Sequence, residues 1–113
     1  MSKQLEERFF DFAKKTRDFC RKCKWDIINI EYIRQLIRSS GSVGANYIEA
    51  SDDLGKADEK MKIKISRRES KESIYWLKLV LVYEDINMEL QRDILIDEAT
   101  QISRILSAIL LKL

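Results

Sequence analysis

The stretch Arg38–Ala50, RSSGSVGANYIEA, decides how the chain is read. Six of its first eight residues are Ser, Gly or Ala, yet apolar residues at helical spacing continue on both sides. A phosphate loop would need a preceding strand and a G-x-x-x-x-G-K-[ST] pattern whose lysine reaches the phosphates. Gly41-Ser42-Val43-Gly44 has neither that spacing nor the lysine. Ile37, Ser40, Gly44 and Ile48 instead keep one helical side. The stretch reads as a thinned helix, whose small residues admit a close neighbour at about 1 kcal/mol of helix propensity per Gly.

Outward from it, the same phase gives a second helix over Asn29–Ser51. Its inward side is Ile30, Ile33, Ile37, Ser40, Gly44, Tyr47 and Ile48, with Asn29 as its N-cap. The first helix spans Lys3–Arg21, with Leu5, Phe9, Phe12, Ala13, Thr16, Phe19 and Cys20 facing inward, and KCKWDIIN tucks Trp25 and Ile27 onto the core. Gly55 breaks the pattern before a long third helix over Lys56–Ile86. INME then turns into a last helix over Gln91–Leu113 that carries Leu95, Ala99, Ile102, Leu106 and Ile109. The chain has no Pro and only 3 Gly, so little else interrupts the helical pattern. With 113 residues and no internal repeat, the reading is one domain, residues 1–113: an all-α, antiparallel up-down-up-down four-helix bundle.

Composition excludes more than it includes. No His is present, which removes the imidazole bases and the Glu-x-x-His metal motifs of helical bundles. No nucleophile–base pattern stands out, so neither an enzyme nor a metal or cofactor is expected. The absence of a signal-like segment or an apolar run of about 20 residues points to a cytoplasmic protein without a membrane partner. Net charge is only +2, but residues 56–71 carry seven basic and three acidic side chains, so the positive excess is local.

Paired with RRESKESIYWL at Arg67–Leu77, the opening stretch resembles the four-helix-bundle family found in ribosomal-RNA intervening sequences. That family is similar to the accessory variability determinant proteins of diversity-generating retroelements. Its frequent Asn-x-x-Glu stands here as Asn46 and Glu49. Ala50 follows where many members have Gly. The resemblance implies a compact bundle assembled as a homopentamer. It also implies a role beside nucleic acid, with a reverse transcriptase as the enzyme partner.

Unrolled at about 100° per residue, the third helix presents three faces. Met61, Ile65, Leu79, Tyr83 and Ile86 form the expected core face, together with Arg68 and Glu72. Glu49 is the natural partner of Arg68 in a buried ion-pair network. Its removal would then cost about 3–5 kcal/mol. Lys56, Lys60, Lys64, Arg67, Lys71 and Lys78 share a separate arc of about 80°. That arc is either solvent dressing or a stripe that follows a phosphate backbone of RNA or DNA without reading bases. Ile63, Ile74, Leu77 and Leu81 form a third set, expected as an exposed apolar strip through which the chain meets copies of itself. Cys20-Arg-Lys-Cys23 lacks a thioredoxin-like context and the four ligands of a zinc site, so it reads as packing. The functional expectation is a non-catalytic, oligomeric nucleic-acid-binding accessory protein. The alternatives are a protein–protein scaffold that binds no nucleic acid, or a domesticated element with no further role.

Overall fold

The computed structural model describes residues 2–52 and 54–113. Ser2 starts the first helix by accepting a hydrogen bond from the Leu5 amide at 3.2 Å, and α1 runs over Lys3–Lys22. Its buried residues Phe9, Phe12, Thr16, Phe19 and Cys20 follow the expected spacing, with Leu5 packed against the core and Ala13 half-buried.

The second helix, α2, covers Asn29–Glu49. Asn29 does not cap it. Asp26 does so, accepting from the Ile28 and Asn29 amides at 3.1 and 2.8 Å. Asn29 is fully buried and ties two loops together: its side chain donates to the Lys24 and Leu81 carbonyls and accepts from the Leu81 amide. Trp25 and Ile27 are not tucked in; Ile27 is 86% exposed, and Trp25 is 53% exposed with its indole N–H donating to the Cys20 carbonyl.

Gly55, at φ 104, makes a turn that L side chains resist, and its carbonyl accepts the Glu59 amide as α3 begins at Lys56. This helix ends at Leu79, seven residues before the expected Ile86. No Gly or Pro stops it. Val80 takes an extended ψ of 132° while Arg92 donates to the Val80 carbonyl at 2.8 Å, so tertiary partners satisfy the freed groups. Tyr83 and Glu84 then adopt positive φ, with the Tyr83 hydroxyl donating to Asp26. Asp85 caps the last helix through the Met88 amide, and α4 occupies Ile86–Leu111.

Cross-helix contacts run in opposite order along neighbours. Asn29 meets Leu81 just past the end of α3, while Ser39 meets Ser73 and Glu49 meets Lys62 between α2 and α3. Arg67 meets Ser107 and Ser70 meets Ser103 between α3 and α4, while Arg8 meets Glu98 and Lys22 meets Gln91 between α1 and α4. Each helix therefore packs against two antiparallel neighbours. Among the described residues the close backbone approaches are between these neighbours and not across the diagonals, and the bundle is a rod of 46 × 22 × 19 Å.

The thinned-helix reading of Arg38–Ala50 holds as helix, but its inward phase is rotated. Leu36, Ser39, Val43 and Tyr47 are buried, whereas Ile37 and Ile48 are 42% and 48% exposed. Gly44 is the close approach, since a Cβ there would stand 3.4 Å from the Phe9 Cβ. Gly41 faces open space. Tyr47 closes the core with its ring edge-on to Phe9 at 5.0 Å and its hydroxyl accepting from the Ser2 amide.

Candidate nucleic-acid interface

The inner side of α3 is Ile63, Ser66, Glu69, Ser70, Ser73 and Leu77. A serine can sit in a dry seam because its hydroxyl bonds a backbone carbonyl nearby. Ser66 donates to the Val43 carbonyl of α2 at 2.7 Å. Ser73 bonds the Glu69 carbonyl and meets Ser39 at 3.0 Å, and Ser70 meets Ser103 of α4 at 2.6 Å. These small polar residues, flanked by Ile63 and Leu77, turn α3 so that its remaining faces are fixed.

That orientation corrects two sequence expectations. Met61 is 54% exposed, Tyr83 54% and Ile86 73%, and Ile65 and Leu79 are half-buried, so this set is not the core face. Conversely, Ile63 and Leu77 are fully buried and Ile74 packs against the core; only Leu81, at 39%, remains exposed. The four cannot form an exposed strip for self-association. The physical reason is that buried serines, and not the largest apolar residues, occupy much of the inner side of α3.

The expected Glu49–Arg68–Glu72 network also does not form. Arg68 lies outside, its side chain 70% exposed, with the Glu69 carboxylate at 3.9 Å. Glu49 pairs with Lys62 at 3.4 Å and is half-exposed, so it strands no buried arginine. Glu72 accepts from Arg38 at 2.7 Å and from the Trp76 indole at 3.1 Å. The buried carboxylate is Glu69, its side chain 7% exposed, with one oxygen lacking a hydrogen-bond partner and Arg38 at 3.8 Å. Burial, reinforced by the nearby Glu72 charge, pushes its pKa above the usual carboxylate range, against the pull of Arg38 and Arg68.

The basic set fares differently. Lys56, Lys60, Lys64, Lys71 and Lys78 are all exposed on one side of α3. Arg67 is half-buried because its guanidinium donates to Ser107 of α4 at 3.3 Å. None of the six makes an ion pair among the described residues. From Lys56 to Lys78 the stripe extends about 33 Å at the helical rise. A surface hollow of about 410 Å³, lined by Met61, Lys64, Ile65, Arg67, Arg68 and Lys71, lies along it. Unpaired ammonium groups at this spacing can hold a polyanion by charge alone.

One residue beside the stripe escaped sequence reasoning. Tyr75 lies four residues after Lys71 and three before Lys78, and it is 59% exposed. Its ring is held edge-on to Trp76 at 5.1 Å, and Trp76 in turn stacks on Tyr32 of α2 at 6.1 Å. The i, i+4 and i, i+3 spacing to lysines was the available signal.

The two cysteines are free and buried, and Cys23 donates to the Phe19 carbonyl. Burial pushes Cys20 up to about 12 and Cys23 up to about 11, so the basic neighbours do not produce thiolates. No helix among the described residues is long and apolar enough to cross a membrane.

The pattern of the 23S rRNA-intervening sequence protein family matches residues 4–108. A solved structure from Bacteroides thetaiotaomicron, described as a protein of unknown function from the S23 ribosomal protein family, superposes with a TM-score of 0.79. It is 28% identical, and the alignment covers 94% of this chain and 97% of that one. No curated protein matches the chain.

Proposed function

We propose a non-catalytic, nucleic-acid-binding accessory role for the chain, which belongs to the family of 23S rRNA-intervening sequence proteins. The observation that carries this reading is the exposed stripe Lys56, Lys60, Lys64, Lys71 and Lys78, continued by Arg67 and without an ion-pair partner among the described residues, on a helix whose opposite side is locked into the bundle. Phosphate contacts from such a stripe give affinity without base readout and make it fall steeply with salt. Accessory proteins of this kind act beside an enzyme, and the retroelement resemblance names a reverse transcriptase as that enzyme.

Self-association is part of the proposal, on a different surface from the one expected. Ile37, Gly41 and Ile48 follow one exposed side of α2, and Phe10, 63% exposed, belongs to the segment of α1 that packs on Gly44. Apolar exposure of this kind marks contact surfaces, and a homopentamer would repeat the basic stripe and multiply weak binding. Sedimentation of the unmodified protein and of Ile48→Asp tests it: the unmodified protein is expected as an oligomer and the variant as a smaller species.

The test of the binding proposal is fluorescence anisotropy with labelled RNA and duplex DNA, comparing the unmodified protein with Lys60→Glu/Lys64→Glu/Lys71→Glu. Salt-sensitive binding that the variant loses is expected. Absence of binding by the unmodified protein at low salt removes the proposal and leaves the protein–protein scaffold as the better reading.

A further inference from the structure

We propose that Tyr75 makes the basic face of α3 a site for single-stranded nucleic acid, with its ring as the platform on which a base stacks. The inference rests on the binding reading above and adds the class of ligand. Its elements are on one helix. Arg68, Lys71 and Lys78 stand at Tyr75 minus seven, minus four and plus three, so cations border the ring along the helix. The ring is exposed, yet it is in contact: it meets Trp76 nearly at right angles, Glu72 accepts from the Trp76 indole, and Tyr32 stacks on Trp76. An exposed tyrosine held in this way has less freedom left to lose when a base covers it.

Charge selects a polyanion for this surface, and the ring selects among polyanions. A duplex keeps its bases stacked on one another and offers a tyrosine only phosphate and sugar. A single strand can turn a base out onto an aromatic face while its backbone follows the cations. The hollow lined by Lys64, Arg67, Arg68 and Lys71 lies about one to three turns before Tyr75, where the neighbouring phosphates of such a strand would run. Because every base has a π-face, the platform tolerates sequence, in keeping with the lack of any base-reading motif.

The experiment measures anisotropy of labelled oligothymidine and of a labelled mixed-sequence duplex of the same length. It uses the unmodified protein, Tyr75→Ala, Tyr75→Phe and Lys60→Glu/Lys64→Glu/Lys71→Glu, each with its melting curve recorded. Tyr75→Ala is expected to weaken oligothymidine binding about tenfold or more while shifting duplex binding about twofold at most. Tyr75→Phe, which keeps the ring, should bind as the unmodified protein does. If Tyr75→Ala melts early, Tyr75→Leu takes its place, since it keeps apolar contact with Trp76 and lacks a π-face. Equal affinity of Tyr75→Ala and the unmodified protein for the single strand, with both ligands lost in the lysine variant, would overturn the platform and leave the stripe standing. No binding by the unmodified protein to either ligand would overturn both.

Discussion

The two sides of α3 are made of opposite materials for one reason each. Inside, Ser66, Ser70 and Ser73 keep the helix slim and spend their hydroxyls on nearby carbonyls and facing serines, so α2 and α4 can both pack closely on it. Outside, Lys60, Lys64 and Lys71 keep long, charged side chains in water with no carboxylate to neutralise them among the described residues. The difference teaches that polarity alone does not tell the faces of a helix apart. Length and hydrogen-bonding reach do: a hydroxyl can be satisfied by its own helix, whereas an ammonium needs water or a partner anion.

The sharpest way to break the comparison is to put bulk on the inner side. Ser66→Leu removes a 2.7 Å bond to the Val43 carbonyl and inserts carbons into a filled seam. It should lower stability by about 3 kcal/mol in chemical denaturation. A loss under about 1 kcal/mol would mean that the seam is looser than described.

Charge on the inner side gives the next effect. Glu69 has its folded pKa raised above its unfolded value, chiefly by burial. Its neutral form is therefore the one the fold prefers. The stabilising contribution is present below the unfolded pKa and disappears as pH rises through the folded one. Glu69→Gln should then raise stability at neutral pH by roughly 1 kcal/mol, with the gain vanishing at pH values below the carboxylate range. Urea midpoints for both proteins at acid and neutral pH check it; a gain that does not depend on pH would assign the effect to packing.

Smaller still is the effect at Gly41, where no atom stands within 4 Å of an added Cβ. Gly41→Ala should raise thermal stability by about 0.5–1 kcal/mol through helix propensity. Gly44 is the control, since its Cβ would touch Phe9 and so should gain less. On the outer side, Lys60→Glu/Lys64→Glu/Lys71→Glu should change stability by about 0.5 kcal/mol or less, read from the same melting curves.

Four helices and their order are legible in the sequence, because Phe9, Phe12, Thr16 and Phe19, or Leu95, Ala99, Ile102 and Leu106, repeat at helical spacing. The end of α3 was not legible. It is set by Arg92 and Asn29 reaching across from other elements, which leaves no local mark near Val80. Asp85 before Ile86 was a readable cap signal that the continuous apolar pattern overrode. The phases of α2 and α3 failed where Ser39, Ser66, Ser70 and Ser73 take the inner positions, since serines contribute nothing to a hydrophobic pattern. The lysine stripe was legible because exposure is the default for unpaired lysine. The Glu49–Arg68 pairing was lost with the phase: a rotation that brings Ile63 inward carries Arg68 out.

The most direct measurement is the dependence of affinity on salt for the unmodified protein and oligothymidine. Six phosphate contacts along α3 predict a slope of log K against log salt of about −4 for a single strand. A slope near zero, or no binding at the lowest salt, would contradict the assignment of the outer side of α3 to nucleic acid.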